Sequence, residues 1–332
     1  MLDMRYRRSY FGRKKGRAQV CGSSQPEAKE LKKLEKIFLC GDPHGEFDHI
    51  LKAIDEFHPN AIIILGDLTP DRSLDEIFKD IGETKVFWIP GNHDTDSDLI
   101  YDRIWRSKFA TNNLHGKVLD VCGVKVAGLG GVFRGQIWMP PALPCYSSPG
   151  VFIKKLGKAT TWRGGLPRRH RSTIFSSVYD KLKECKADVL VTHEAPSIHA
   201  KGFECLDVLA DQLGVKYFFH AHQHESKNYG VINGFVARGI GLRGVIDLAG
   251  NVIVPAEADL RETANKFQYE KKPKVKKLPA SKFRRLYKAR RDRQFKGQSG
   301  WKAIDKHPGT ELRGGFRQAG QDHAPREDKS SN

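Results

Sequence analysis

The sequence predicts an α/β fold, and three observations bear on it. Short β-rich runs end in Gly-Asp or Gly-Asn, polar turn residues follow each of them, and a helical stretch comes next. The segment that carries this alternation, residues 37–255, holds 25 basic and 25 acidic residues, whereas the two ends carry the whole net charge of +18. No run approaches the length of about 18 apolar residues that a membrane helix needs. Strand–turn–helix repetition favours a sheet whose functional loops gather at the carboxyl ends of parallel strands.

The elements follow in order. KIFLCGD from Lys36, AIIILGD from Ala61 and KVFWIPGN from Lys85 read as strands. Their β-branched and aromatic content suits a pleated surface. Helices are expected over 47–57, with Ile50, Leu51 and Ile54 on one face, over 73–81 and over 97–109. KVLDVCGVKVAGLGG reads as a hairpin turning at Cys122-Gly123. After an irregular stretch the alternation resumes with a helix over 172–185, the strand DVLVTHE, a helix over 203–213 and the strand KYFFHAH. Further β-rich runs at 231–240 and 245–254 complete a folded unit expected over 36–258.

The ends differ in composition. Residues 1–35 and 259–332 are basic and aperiodic, with KKPKVKK and FRRLYKARRDR in the second, and both read as disordered tails. Such runs could hold nucleic-acid phosphates without reading sequence. The basic start lacks the apolar run of a secretory signal, so a cytoplasmic location is expected. The six cysteines form no CxxC pair, which favours buried thiols over a disulfide set. Residues 131–172 carry five Pro and eight Lys/Arg with no acid. This insert reads either as a substrate lid, with Arg134 a candidate phosphate contact and Trp138, Tyr146, Phe152 and Trp162 available for stacking, or as a solvated basic loop.

The strand ends collect Asp42, His44, Asp67, Asn92, His93, His193, His222 and His224. One such residue in a turn is ordinary. Several strands delivering imidazole, amide and carboxylate to one edge is what a mixed nitrogen and oxygen metal site requires, because no single segment wraps a cation. Two cations about 3.5–4 Å apart neutralise a phosphate ester's oxygens and acidify a bridging water. The donor set suits divalent Mn, Fe, Zn or Mg, and the absence of cysteine argues against a structural zinc.

GDPHG, GD, GNHD, THE and HAHQH, over residues 41–224, resemble the calcineurin-like metallophosphoesterase superfamily. The resemblance implies a four-layer sandwich, two mixed β-sheets flanked by helices. It also implies that Asp42, His44 and His224 bind one metal, that Asn92, His193 and His222 bind the other, and that Asp67 bridges them. His93 would contact the phosphate and protonate the leaving oxygen, with Asp94 orienting it. Ala221 stands where the last motif normally has Gly, and GDLTPDR is one residue longer than the protein phosphatase pattern, so Arg72 does not transfer as a phosphate clamp. His220 is expected to pack rather than ligate.

The expected activity is therefore metal-dependent hydrolysis of a phosphomonoester or phosphodiester by a dimetal-bound hydroxide. The alternatives are a nucleic-acid-binding protein or nuclease working through the tails, and a protein phosphatase-like enzyme.

Overall fold

A computed structural model describes residues 32–157 and 160–261. The first sheet has the order β11-β10-β1-β2-β3, from β1 (Ile37–Cys40), β2 (Ala61–Ile64), β3 (Lys85–Trp88), β10 (Val245–Asp247) and β11 (Val252–Val254). The second has the order β4-β5-β6-β7-β9-β8, from β4 (Lys117–Val121), β5 (Val124–Leu129), β6 (Val189–Thr192), β7 (Tyr217–His220), β8 (Lys227–Ile232) and β9 (Phe235–Gly239). β1, β2 and β3 run parallel, as do β5, β6, β7 and β9, while β10 and β11 in the first sheet and β4 and β8 in the second pair antiparallel. Both sheets are therefore mixed, as expected.

Strand residues alternate between two cores. Ile37, Leu39, Ile63 and Phe87 of the first sheet meet Val126, Val189, Val191 and Phe219 of the second in the inter-sheet core. Leu34, two residues before the expected start of the folded unit, is buried there too. Phe38, Cys40, Ile62, Ile64 and Trp88 face outward under α1 (Asp48–Phe57), α2 (Leu74–Ile77) and α3 (Asp98–Trp105). Leu190 and Phe218 face α5 (Ser176–Lys183) and α6 (Glu204–Leu213) on the other side. Burial on both faces explains the unbroken apolar runs of the central strands. Four layers result.

Helix starts follow capping chemistry. Ser73 and Glu76 form a reciprocal capping box at α2, and Ser97 accepts the Ile100 N–H at α3. The helix expected over 73–81 stops at Ile77, and that over 97–109 breaks into α3 and a 3₁₀ turn at Lys108–Asn112. The run 231–240 hides a hairpin: Asn233 and Gly234 both take left-handed backbone between β8 and β9, as a two-residue Asn-Gly turn demands.

The insert is not a loose loop. It contains α4 (Pro149–Lys155), with Pro149 in its first turn and Ser148 capping Val151 N–H, and a 3₁₀ turn at Arg168–Ser172. Phe133, Ile137, Trp138 and Phe152 are buried in the core outside the second sheet, with Tyr146 packed against it. Of the four aromatics expected to be free for stacking, only Trp162 lies outside that core, and it meets Tyr101 edge-on. Arg163 forms a two-pronged ion pair with Asp102, Arg168 bonds Asp98, and Arg171 lies over the Tyr101 and Trp162 rings. The acids that answer this acid-free insert stand on α3.

The expected tails lie almost wholly outside the described residues. No helix among the described residues is long and apolar enough to cross a membrane. The five described cysteines are free thiols; Cys40 is buried, as expected, but Cys145 is exposed.

Candidate metal centre

Register brings the motif residues together. Cys40, Ile64 and Trp88 are aligned across β1, β2 and β3, and Thr192 pairs with His220 across β6 and β7, so these strands end flush. Asp42, Asp67, Asn92, His193 and His222 follow within four residues of those ends. The chain must then turn sharply to point each side chain into one hollow. Asp42, His44, Asp67, His222 and His224 all take positive φ, between 39° and 65°. Left-handed backbone is uncommon outside glycine and costs on the order of 1–3 kcal/mol per residue. Five of the eleven non-glycine residues with positive φ among the described residues gather at this edge, which marks it as a site.

Two ligand groups form there. Donor atoms of Asp42, His44 and His224 lie within 4.8 Å of one another, as do those of Asp67, His193 and His222. Asn92 joins the second group, its Oδ1 3.2 Å from His193 Nε2. Asp67 faces both, with Oδ2 3.6 Å from His44 Nε2 and 3.5 Å from His193 Nε2. All seven expected ligands therefore converge.

The hydrogen bonds fix which atoms remain available. His193 Nδ1 donates to the Leu65 carbonyl at 2.7 Å, which turns Nε2 toward Asp67 and Asn92. Asp42 accepts the His222 N–H at 2.8 Å through Oδ2, while its Oδ1 is buried with no hydrogen-bond partner. An orphaned buried carboxylate oxygen costs stability unless a cation meets it. These residues fit a metal pair.

Electrostatics agree. Burial, then the neighbouring Asp67, pushes the Asp42 carboxyl up to about 7, against the pull of His193. Burial opposes charge on His193, but Asp67 and Asp42 raise it to about 10. Asp67 itself is held well below the usual carboxylate range, its burial outweighed by His193 and the His93 N–H. Burial and the nearby His193 lower His222 to about 3. A buried cluster this rich in carboxylate and imidazole gathers positive charge, whether from protons or from cations.

His93 sits at the rim, its ring centroid 5.7 Å from that of His44 and its N–H on Asp67 Oδ1 at 2.9 Å. Its carboxylate partner differs from the expectation. Asp94 is fully buried and accepts the N–H groups of Gly91 and Thr69 at 2.8 and 3.0 Å, so its carboxylate ties two loops together. Asp96 Oδ2 lies 2.6 Å from His93 Nδ1 instead. Burial opposes charge on His93, and the Asp96 bond raises its pKa above the ordinary imidazole value. The signal was present in GNHDTD, where Asp96 stands three residues on, the spacing of one tight helical turn.

Arg134 is half-buried, donating to the Ser172 carbonyl and Thr173 Oγ1 at 3.0 and 3.1 Å, with Asp96, Glu194 and Asp67 as its charged neighbours. Burial and the adjacent Arg169 lower its pKa to about 10, which leaves it cationic at neutral pH. Glu194, quoted within THE but given no role, is buried against the Phe133 N–H with Oε2 3.9 Å from His222 Nε2. It anchors the start of the insert beside the ligands. His220 packs as expected, its Nε2 on the Tyr229 hydroxyl.

Two glycines matter as much as the ligands. A Cβ on Gly66 would collide with His193 Nδ1, and one on Gly91 with the Asp67 carboxylate. Gly66 and Gly91 thus each make room for a ligand from a neighbouring loop, whereas Gly41 lies against Ile240 and Gly241.

A family model described as calcineurin-like phosphoesterase matches residues 35–226. An uncharacterized protein of Haemophilus influenzae is 43% identical over 218 residues, covering 66% of this chain and 96% of that protein. Among solved structures, calcineurin-like phosphoesterase YfkN from Bacillus subtilis aligns at 15% identity with a TM-score of 0.35, over 70% of this chain and 96% of its own. Phosphopantetheinyl hydrolase from Mycobacterium tuberculosis aligns at 13% identity with a TM-score of 0.38, over 63% and 90%.

Proposed function

Because the chain belongs to the calcineurin-like phosphoesterase family, we propose that it hydrolyses a phosphate ester at a dinuclear centre, with Asp42, His44 and His224 holding one cation, Asn92, His193 and His222 the other, and Asp67 between them. The observation that carries this reading is the pair of ligand groups facing a shared Asp67. When bound, the cations supply charge for the phosphoryl oxygens and an acidified water. The protein's own residues do the rest. Asn92 and Asp67 hold their positions through His193 and the His93 N–H. Arg134 offers its remaining guanidinium N–H groups to a phosphate oxygen. His93, at the rim, hands a proton to the departing oxygen.

The test uses full-length protein with added Mn²⁺, on p-nitrophenyl phosphate and on its bis ester, with bound metal counted. Asp67→Asn should lower metal affinity by more than about 100-fold, beyond the loss typical of outer-shell changes. His93→Ala should keep both metals and lose about 10²–10⁴-fold in turnover on the corresponding ethyl ester, whose leaving oxygen needs a proton, and much less on the p-nitrophenyl ester. Equal metal loss in the two variants would remove His93 from its role, and a protein that bound no divalent metal would end the reading.

A further inference from the structure

His93 carries a half-exposed ring at the rim of the centre, with side-chain exposure of 49%, so packing alone does not fix its rotation. Its Nδ1 has one anionic partner, the Asp96 carboxylate at 2.6 Å. Asp96 in turn sits in a turn gripped by the insert. The Arg168 guanidinium donates through Nε to the Thr95 carbonyl at 3.0 Å and through Nη2 to the Asp96 carbonyl at 2.7 Å, while Nη1 meets the Asp98 carboxylate. Beside it, Ser172 Oγ and Thr95 Oγ1 are 2.8 Å apart in a buried contact. Three edges of one planar cation thus lock the segment 95–98, a grip that a flexible ammonium could not reproduce.

We propose, resting on the phosphoesterase reading above, that Asp96 is the positioning residue that aims the His93 proton at the leaving oxygen, and that Arg168 of the insert sets Asp96 in place. Asp96 holds Nδ1–H, which leaves Nε2–H pointing toward substrate. As the bond from phosphorus to the leaving oxygen breaks, its electron pair stays on that oxygen and takes the Nε2 proton. Water supplies the oxygen of the new bond to phosphorus and the proton that restores His93, so the net change is addition of water across the ester. The insert is then part of the catalytic machinery through its grip on this turn, rather than as a cover over the substrate.

A leaving group that needs no proton reports the difference. A p-nitrophenolate departs unaided, whereas an ethoxide does not, so a defect in proton donation grows with leaving-group basicity. The experiment compares p-nitrophenyl and ethyl esters, of whichever phosphate class the wild type cleaves, in wild type, Asp96→Ala, Asp96→Asn and Arg168→Lys. Asp96→Ala should lose at least about ten-fold more kcat on the ethyl than on the p-nitrophenyl ester, with KM and bound metal unchanged. Arg168→Lys should show the same pattern, smaller. Nitrogen-15 histidine spectra should show a protonated His93 Nδ1 in the wild type and its loss in Asp96→Ala. Equal losses on the two esters in an active background, or an unchanged His93 signal, would overturn the proposal. A wild type inert on every ester would sink the phosphoesterase reading, and this proposal with it.

Discussion

The strand-end loops and the insert lie side by side at one edge of the molecule, and both are polar, yet their polar residues do opposite work. In the loops, carboxylates and imidazoles, from the buried Asp42 and Asp67 to the exposed His224, face one another across a hollow, with five of them on left-handed backbone and the Asp42 Oδ1 left without a partner. In the insert, Arg163, Arg168 and Arg171 are spent on α3 and its aromatic neighbours, and three of four aromatics fill a core. The loops hold unsatisfied potential. The insert has satisfied most of its own. Polar groups left unpaired at a structural cost point to a ligand, whereas a run of like charges points first to acids elsewhere in the fold.

That contrast breaks most visibly with one substitution in each region. Phe152 is 2% exposed and packs against Tyr146, His170 and Phe175. Phe152→Ala should cost about 3–5 kcal/mol, lowering the melting temperature by roughly 10 °C. Leu143 in the same insert is 89% exposed, and Leu143→Ala should stay within about 0.5 kcal/mol. Thermal unfolding of the two variants decides the matter. If Phe152→Ala left the melting temperature alone and changed only KM, the insert would be a lid after all.

A smaller effect sharpens the same comparison through glycine. Gly91→Ala would press a methyl group into Asp67, whereas around Gly135 in the insert nothing lies within 4 Å. Gly91→Ala should weaken metal affinity by about 10–100-fold, as changes that disturb a ligand's setting typically do. Gly135→Ala should leave it unchanged. Metal titration of both variants is the measurement, and equal affinities would mean that the Asp67 loop yields freely.

The sequence made the strand-end residues legible because several strands deliver metal-binding residue types to one edge, and most strands follow from apolar runs, although the runs 231–240 and 245–254 each hold parts of two strands. What stayed hidden depends on pairing over distance. That Arg168 belongs to Asp98 and the Asp96 carbonyl, 70 and 72 residues away, leaves no trace in either segment. Asp96 is not singled out by the motif, since the resemblance implies that Asp94 orients His93. In a 3₁₀ turn, however, neighbouring side chains diverge, and the residue three positions on returns to the same face. Gly66 and Gly91 mark only the ends of β-rich runs in the sequence, and the fold reveals whose ligand each one admits.

The smallest of the expected effects tests whether the insert is packed as a core, and it comes from pH. His170 is 4% exposed, its Nε2 3.1 Å from Gln136 Oε1 and its Nδ1 3.2 Å from Thr173 Oγ1, a pairing that suits a neutral ring donating once and accepting once. Burial, then the positive charges of Arg134 and Arg169, lowers its pKa to about 4. An unfolded chain would protonate the same ring near 6.5. As pH falls below that value the unfolded state takes up a proton that the folded state refuses, so stability is lost from about 6.5 downward and levels off only below the folded value. Between pH 7 and pH 5 the loss from this one residue comes to roughly 2 kcal/mol. His170→Gln, which keeps a donor and an acceptor but cannot titrate, should therefore show a flatter decline in urea midpoint over that interval than the wild type. Parallel declines would mean that His170 is reached by water in the folded protein, and that the insert opens around it.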